Sequence, residues 1–224
     1  MPMLIDLEGI DGSGKGTQSQ RLCERLRGAG YSTALVSFPR YSETLFGQAV
    51  GEFLNGQYGA LEDVHPFLVS LLFAGDRFES RQYLLDQLAR HQVVVLDRYV
   101  PSNVAHQASK LEGTERSNLI SRILQIEFKI YDMPRPDWVL FLDLPVATAQ
   151  QLIARKAARQ YTDRAADIQE ADGAYLERVR AVYEELAATE PQWRRIRCCQ
   201  GAELRSVEAI SEEIWQQVVS VLPA

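Results

Sequence analysis

Cysteine, histidine and tryptophan are scarce in this chain, with three of each among 224 residues. Cys23, Cys198 and Cys199 have no spacing that suits a tetrahedral zinc site, and an odd number of thiols does not make a disulfide framework. The adjacent Cys198 and Cys199 read as strand residues, and a reducing cytoplasm is the expected compartment. No window comes near the roughly 20 apolar residues of a membrane-spanning helix, so no membrane association is expected. The first residues run straight into a strand pattern and lack the charged and apolar regions of a secretory leader. An excess of basic charge is lacking too. Lys and Arg number 24 against 30 Asp and Glu, a net charge of −6, which argues against a broad nucleic-acid surface. Any anion site must therefore be built locally. There is no internal repeat, low-complexity tract or long linker.

The chain is 46% hydrophobic, enough for one α/β domain over 1–224 with a full core. Apolar runs of strand length recur at Leu4–Leu7, Ala34–Phe38, Val93–Leu96, Trp138–Leu142 and Trp193–Cys198. Three are nearly continuous, as in parallel strands covered on both faces. Helical patterns lie between them: Gln18–Arg27, Leu45–Leu54, Pro66–Arg90, Arg116–Tyr131, Val146–Arg159, Ala174–Ala187 and Val207–Val221. This alternation predicts a doubly wound five-stranded parallel sheet with helices on both faces. Ligands on such sheets bind beyond the carboxyl ends of the strands.

The first strand runs into Gly9-Ile10-Asp11-Gly12-Ser13-Gly14-Lys15-Gly16-Thr17, followed by a helix. That is the context and spacing of a phosphate-binding loop. Glycines let backbone N–H groups turn inward into an anion nest at a helix N-terminus, and Lys15 adds a point charge for the terminal phosphates. The residue after the lysine is Gly16, not Ser or Thr. The hydroxyl that usually meets Mg²⁺ then comes from Thr17, one place later. Gly-Lys-Gly-Thr-Gln also occurs in adenylate kinases and points toward nucleotide kinases rather than GTPases.

Three further clusters sit where such a loop would use them. Asp97-Arg98-Tyr99 closes a central strand; the carboxylate can hold Mg²⁺ directly or through water, and the guanidinium can fork onto a phosphate. The plainer alternative is a mutual Asp97–Arg98 ion pair. Phe38-Pro39-Arg40-Tyr41 follows the second strand and presents Arg40 and Tyr41 at the same edge, unless it is an ordinary turn. Phe73 and Arg77 share a helix face. At about 100° per residue they point away from the stripe of Leu68, Leu71, Leu72 and Gly75, free to stack on and hydrogen-bond a base; packing on a neighbouring helix is the commoner fate of such a Phe. The segment 155–164 carries Arg155, Lys156, Arg159 and Arg164 against Asp163, a net +3. It suits a basic lid, about 155–170, closing over phosphates, or else a solvated helix face balanced by Asp163, Asp167 and Glu170.

Taken together, Glu8-Gly-Ile-Asp-Gly-Ser-Gly-Lys15 and Asp97-Arg-Tyr-Val-Pro-Ser-Asn-Val-Ala-His-Gln107 resemble the thymidylate kinases, P-loop nucleoside-monophosphate kinases. Phe38–Tyr41, Leu72–Arg77 and Pro136–Leu142 support the likeness, which runs from Leu7 to about Leu186. The resemblance implies transfer of the γ-phosphoryl group of ATP to dTMP, with Mg²⁺ as cofactor and a cytoplasmic homodimer as the assembly. It implies that residues 9–17 hold ATP, and that Asp11 meets the dTMP sugar hydroxyl or the metal's water shell. Phe73 would stack on thymine and Arg77 would bond its carbonyl. Asn103 and Gln107 would lie along the base, and Pro39 and Arg40 beside them. Tyr41 and Arg98 would approach the acceptor phosphate, while Asp97, Asp11 and Thr17 would serve the metal. Where many members have tyrosine, this chain has His106, smaller and polar, at a position associated with exclusion of a ribose 2′-hydroxyl. The rival readings are a kinase for another nucleoside monophosphate and a nucleotide-binding regulator without catalysis.

Gly12 and Ser13 leave the phosphate loop without the second cation that some members carry there, so Arg155, Arg159 and Arg164 are the candidates to neutralise the moving phosphoryl group. Arg155→Ala or Arg159→Ala is expected to lower kcat with modest change in dTMP affinity, because the contact forms chiefly on closure. A solvated face predicts only stability changes within about 0.5 kcal/mol. Single-variant and double-variant kcat values separate the two; a double variant turning over like the parent removes the lid's catalytic role.

Overall fold

A computed structural model describes residues 2–61, 63–154 and 172–222. Five parallel strands form one sheet in the order β2-β3-β1-β4-β5. They are β1 (Met3–Glu8), β2 (Thr33–Ser37), β3 (Val93–Asp97), β4 (Trp138–Asp143) and β5 (Trp193–Arg197). Each lies within a residue of its expected start and end. β1 is central, flanked by β3 and β4, and its register pairs Leu7 with Asp97 and Glu8 with Phe141. The phosphate loop at its carboxyl end is thereby set between the ends of β3 and β4.

The helices are α1 (Lys15–Gly28), α2 (Leu45–Leu54), α3 (Pro66–Glu79), α4 (Arg81–Arg90), α5 (Val100–Ala108), α6 (Gly113–Gln125), α7 (Val146–Ala154), α8 (Gly173–Thr189) and α9 (Val207–Val219). Alternate residues of β1 serve different cores. Ile5 and Leu7 join Leu22 and Leu26 of α1 with Ile210 and Ile214 of α9. Leu4 joins Leu84 of α4, Val100 and Val104 of α5, and Leu119 and Ile123 of α6. A short hairpin, β6 (Cys199–Gln200) with β7 (Glu203–Leu204), follows β5, so Cys199 is a strand residue and the buried Cys198 precedes it. No helix among the described residues is long and apolar enough to cross a membrane.

The structure departs from the expected helices in three places. The pattern over 66–90 is two helices, bent at Ser80, whose N–H still bonds Asp76 O at 3.1 Å. Ser80 Oγ accepts from Arg40 Nη1 at 3.3 Å; with no proline or glycine at the bend, the chain carried no local signal for it. Second, Val100–Ala108 is helical, with Val100, Val104 and Ala108 four apart on its buried side; Pro101 stands in the first turn, where its missing N–H costs nothing. Third, α6 ends early and passes into a π-helical turn, Ile126–Ile130, closed by Tyr131 N donating to Ile126 O at 2.8 Å. The expected helix over 146–159 is described as far as Ala154.

Thr44 caps α2 by accepting from Gly47 N at 2.8 Å, and its hydroxyl also donates to Asp76 Oδ1 at 2.5 Å. A Cβ at Gly47 would lie 2.2 Å from Arg40 O and 2.5 Å from Thr44 Oγ1. Alanine gains up to about 1 kcal/mol of helix propensity over glycine, yet Gly47→Ala is expected to destabilise the protein by about 1–3 kcal/mol because a backbone carbonyl cannot yield. Urea midpoints of the two proteins measure the sign; a stabilised Gly47→Ala contradicts the close approach.

Candidate active site

β1 stops where the loop turns. Gly9, Gly12 and Gly14 all have positive φ, and Gly12 also lies against α7, where a Cβ would stand 2.6 Å from Ala149 O. Lys15 is buried and folds back over the loop, its Nζ donating to Gly9 O and Ile10 O at 2.8 Å each. The lysine therefore braces the loop as well as charging it. Burial, then the nearby Arg98 charge, lowers its pKa to about 8. Gly16 has a local cause: a Cβ there would come within 3.2 Å of Asp97 Oδ2. The carboxylate at the end of β3 occupies the space beside this position. Thr17 is exposed on the first turn of α1.

Arg98 does not close the strand by pairing with Asp97. It sits in the left-handed region at φ 70° and sends Nη2 to Asp11 Oδ1 at 2.5 Å and Nη1 to Ser102 Oγ at 3.1 Å. A guanidinium is thus delivered to the phosphate loop's own aspartate. Backbone strain of this kind costs about 1–3 kcal/mol and is held by its surroundings.

Beside this pair opens a pocket lined by Asp11, Phe38, Pro39, Tyr41, Leu54, Phe73, Arg77, Arg98, Tyr99, Ser102, Asn103, His106 and Gln107. The candidates Asp11, Pro39, Tyr41, Phe73, Arg77, Arg98, Asn103, His106 and Gln107 are brought together. Arg40 is not. Its guanidinium lies over the Tyr83 ring, 4.2 Å from the centroid, and bonds Ser80. Cation–π contact and the helix bend turn it away from the cavity. Arg77 also differs from expectation. It is 2% exposed and paired with Glu127 rather than standing on an open face, while Leu68 of the supposed core stripe is 55% exposed. Phe73 is half-buried against Val50, Phe53, Leu54 and Val69 as well as lining the cavity. Arg155, Arg159 and Arg164 lie outside the described residues.

The amides on α5 have fixed polarity. Asn103 Nδ2 donates to Ser70 O at 3.0 Å and Glu127 Oε1 at 3.1 Å, both acceptors only. Its Oδ1 is therefore the end left over, buried without a partner. Gln107 Oε1 accepts from Lys110 Nζ at 3.0 Å, an ammonium with nothing to accept, which leaves Gln107 Nε2 as a buried, unpartnered donor. His106 Nδ1 lies 2.9 Å from Tyr175 Oη, which also lies within donating distance of His106 O, at 3.1 Å. Burial, then the Arg98 charge, lowers the His106 pKa to about 3.

Several residues of this site gave no sequence signal of their role: Glu8, Ser102 and Tyr183, which form one hydrogen-bonded cluster, and Glu127 and Tyr175. Glu8 was visible only as part of the loop motif. A polar cleft on the other side of the loop, at the ends of β4 and β5, is lined by Asp143, Pro145, Arg195, Arg197, Cys199, Gln200, Gly201, Arg205 and Glu213. The chain between β5 and α9 thus faces the same sheet edge as the phosphate loop, again without a motif to announce it. No group of three metal-ligating side chains occurs among the described residues.

A family model described as thymidylate kinase matches residues 7–214. A thymidylate kinase from Mycobacterium tuberculosis (strain CDC 1551 / Oshkosh) is 36% identical over 186 residues, 83% of this chain and 86% of the relative. Thymidylate kinase from Homo sapiens is 30% identical over 216 residues, 94% and 87% of the two chains. A solved structure of thymidylate kinase from Candida albicans matches with a TM-score of 0.74 over 98% of this chain and 92% of its own, at 23% identity; that likeness speaks for the fold.

His106 is 5% exposed and its folded pKa, about 3, lies below the ordinary 6.5. The unfolded chain binds the extra proton, so the stability is fully present above pH 6.5 and is lost as pH falls toward 3. The slope is at most about 1.4 kcal/mol per pH unit for one proton. His106→Phe is expected to flatten the decline between pH 6 and pH 4 by up to that amount in urea titrations. Identical slopes for parent and variant mean that His106 is not held neutral.

Proposed function

The chain belongs to the thymidylate kinase family, its model spanning residues 7–214, and from that premise we propose how this site phosphorylates dTMP. The chain is an ATP-dependent phosphotransferase that converts dTMP to dTDP. We assign the thymine base to the α3–α5 wall and the dTMP phosphate to Arg98 and Tyr41. The observation that carries the base assignment is the fixed polarity of the wall. Asn103 Oδ1 is an acceptor, Gln107 Nε2 a donor, and Arg77 keeps Nη1 outside its ion pair. An acceptor flanked by donors complements an imide edge, which has one N–H between two carbonyls. Cytosine offers an amine and a bare ring nitrogen instead. Phe73 supplies the apolar face.

ATP is assigned to residues 9–17, with its nucleoside toward the cleft at the ends of β4 and β5. In the transfer, an oxygen of the dTMP phosphate bonds to the γ-phosphorus as the bond to the bridging β–γ oxygen breaks, and ADP leaves. The acceptor oxygen is already a nucleophile, so no general base is required. Lys15 and Arg98 hold the phosphates and offset their charge, and Arg155, Arg159 and Arg164 are assigned to the same task. Mg²⁺ fits a site made chiefly of one carboxylate, Asp97, with Thr17 and Asp11 acting through water, since this ion prefers few protein ligands plus substrate phosphate and water. When bound it neutralises charge on the phosphates. A cytoplasmic homodimer is part of the same proposal.

A coupled assay of ATP with dTMP, dUMP, dCMP, UMP and AMP tests the assignment. The imide edge predicts that dCMP is disfavoured by at least about a hundredfold in kcat/KM, and UMP reads out His106. Arg77→Ala is a poor probe, because it strands the buried Glu127, at a cost of about 3–5 kcal/mol. Asn103→Ala is cleaner. It is expected to raise KM for dTMP by about five- to 150-fold while KM for ATP stays. Equal rises for both substrates place the base elsewhere.

A further inference from the structure

Glu127 is fully buried and does not line the cavity, yet it is bonded to two residues that do. Its Oε1 and Oε2 accept from Arg77 Nε at 3.1 and 3.0 Å, Oε1 also accepts from Arg77 Nη2, and Asn103 Nδ2 donates to Oε1 at 3.1 Å. Arg77 belongs to α3 and Asn103 to α5, so one carboxylate joins both helices of the base wall. The π-helical turn makes this possible. It ends with Tyr131 N on Ile126 O and Met133 N on Glu127 O, at 2.8 and 3.0 Å, and so Glu127 is presented inward where a continued α-helix would change the register.

Among the described residues no other carboxylate near Arg77 serves in its place. Asp76 is engaged by Arg40 N and Thr44 Oγ1. Asp6 is buried beside Glu8, and burial followed by the charge of Glu8 and a hydrogen bond with it raises its pKa well above the carboxylate range, favouring its uncharged form. Glu127 is the carboxylate that forks onto Arg77, and the fork takes Nε and Nη2. The fork leaves Nη1 and the second Nη2 proton outside the ion pair, and it turns the Asn103 amide so that its oxygen is the free end.

We propose that Glu127 is a positioning residue for base selection, fixing the donor on Arg77 and the acceptor on Asn103 that together read the imide edge of the acceptor nucleotide. This rests on the base-reading role assigned above to Arg77 and Asn103. A carboxylate can enforce that polarity because it only accepts. An amide in its place also donates, and would set an N–H against Arg77 or Asn103.

The test is Glu127→Gln, which keeps size and shape. Purified variant and parent are compared by steady-state kinetics with dTMP and dCMP, by calorimetric titration of dTMP without ATP, and by thermal melting. The expected result is a rise of about 10- to 100-fold in both KM and Kd for dTMP, with KM for ATP and kcat within about twofold, and a smaller preference for dTMP over dCMP. A merely structural role predicts a lowered melting temperature with unaltered dTMP affinity and preference, and that result overturns the proposal. So does a fall in kcat with both KM values unchanged. If Glu127→Gln does not fold, Glu127→Asp is read in the same assays; it keeps the charge but withdraws it by one methylene, and an unchanged KM for dTMP overturns the proposal. Asn103→Ala separates the two levels. If Asn103→Ala leaves dTMP affinity intact, the base-reading assignment itself fails. If Asn103→Ala weakens dTMP and Glu127→Gln does not, only the positioning role fails.

Discussion

The site depends on one carboxylate at the end of β1. Glu8 is fully buried, and it accepts from Tyr99 N at 2.8 Å, Ser102 N at 3.0 Å, Ser102 Oγ at 2.6 Å and Tyr183 Oη at 2.8 Å. Two of these donors are backbone groups at the start of α5, where the helix dipole favours negative charge. Ser102 in turn accepts from Arg98. A single residue thereby fastens the strand that launches the phosphate loop to the helix that carries the base wall and to α8. A buried carboxylate is costly unless its lone pairs are filled. Here they are filled by the very segments whose relative position the chemistry requires.

Charge management of this kind explains the layout of the whole molecule. A parallel sheet covered on both faces leaves its chemistry to the carboxyl ends of its strands. β1 lies between β3 and β4, so the phosphate loop has one cavity on the β3 side and another on the β4–β5 side. Asp97 and Arg98 serve the first; Asp143, held by Arg180 Nε at 2.8 Å and Arg195 Nη2 at 2.7 Å, borders the second. Among the described residues the buried charges Glu8, Lys15, Arg77, Glu127 and Asp143 are all paired or bonded, and at Asp6, beside Glu8, burial favours the protonated acid.

How legible a feature was depended on whether its cause is local. The strands were readable because a two-sided burial leaves nearly continuous apolar runs, and the loop because its glycines need positive φ at fixed spacing. α5 was less so, since its stripe of Val100, Val104 and Ala108 is short and interrupted by Pro101 and by polar Ser102, Asn103, His106 and Gln107, and its first turn is held by Glu8 from the distant β1. Phe73 and Arg77 are neighbours on α3, as their spacing dictates, but Arg77 is drawn to Glu127, a carboxylate 50 residues away of which local periodicity carries no trace. Arg40 is turned away for the same reason: its partners, Ser80 at the α3–α4 bend and Tyr83 of α4, lie some 40 residues on.

From its residues alone this chain determined a five-stranded parallel α/β fold, a phosphate loop at the end of the first strand, and the set of polar and aromatic side chains offered at the neighbouring strand ends and on two helices. Those follow from periodicity, glycine spacing and turn chemistry, all of which act over a few residues. Tertiary structure decided which charges pair: Arg98 with Asp11 instead of Asp97, Arg77 with Glu127, Arg40 with an aromatic ring away from the cavity. It also decided which atoms of Asn103 and Gln107 remain for a ligand. A side chain's hydrogen-bond polarity is set by its buried partners, and these come from distant parts of the chain, brought together only when both cores close.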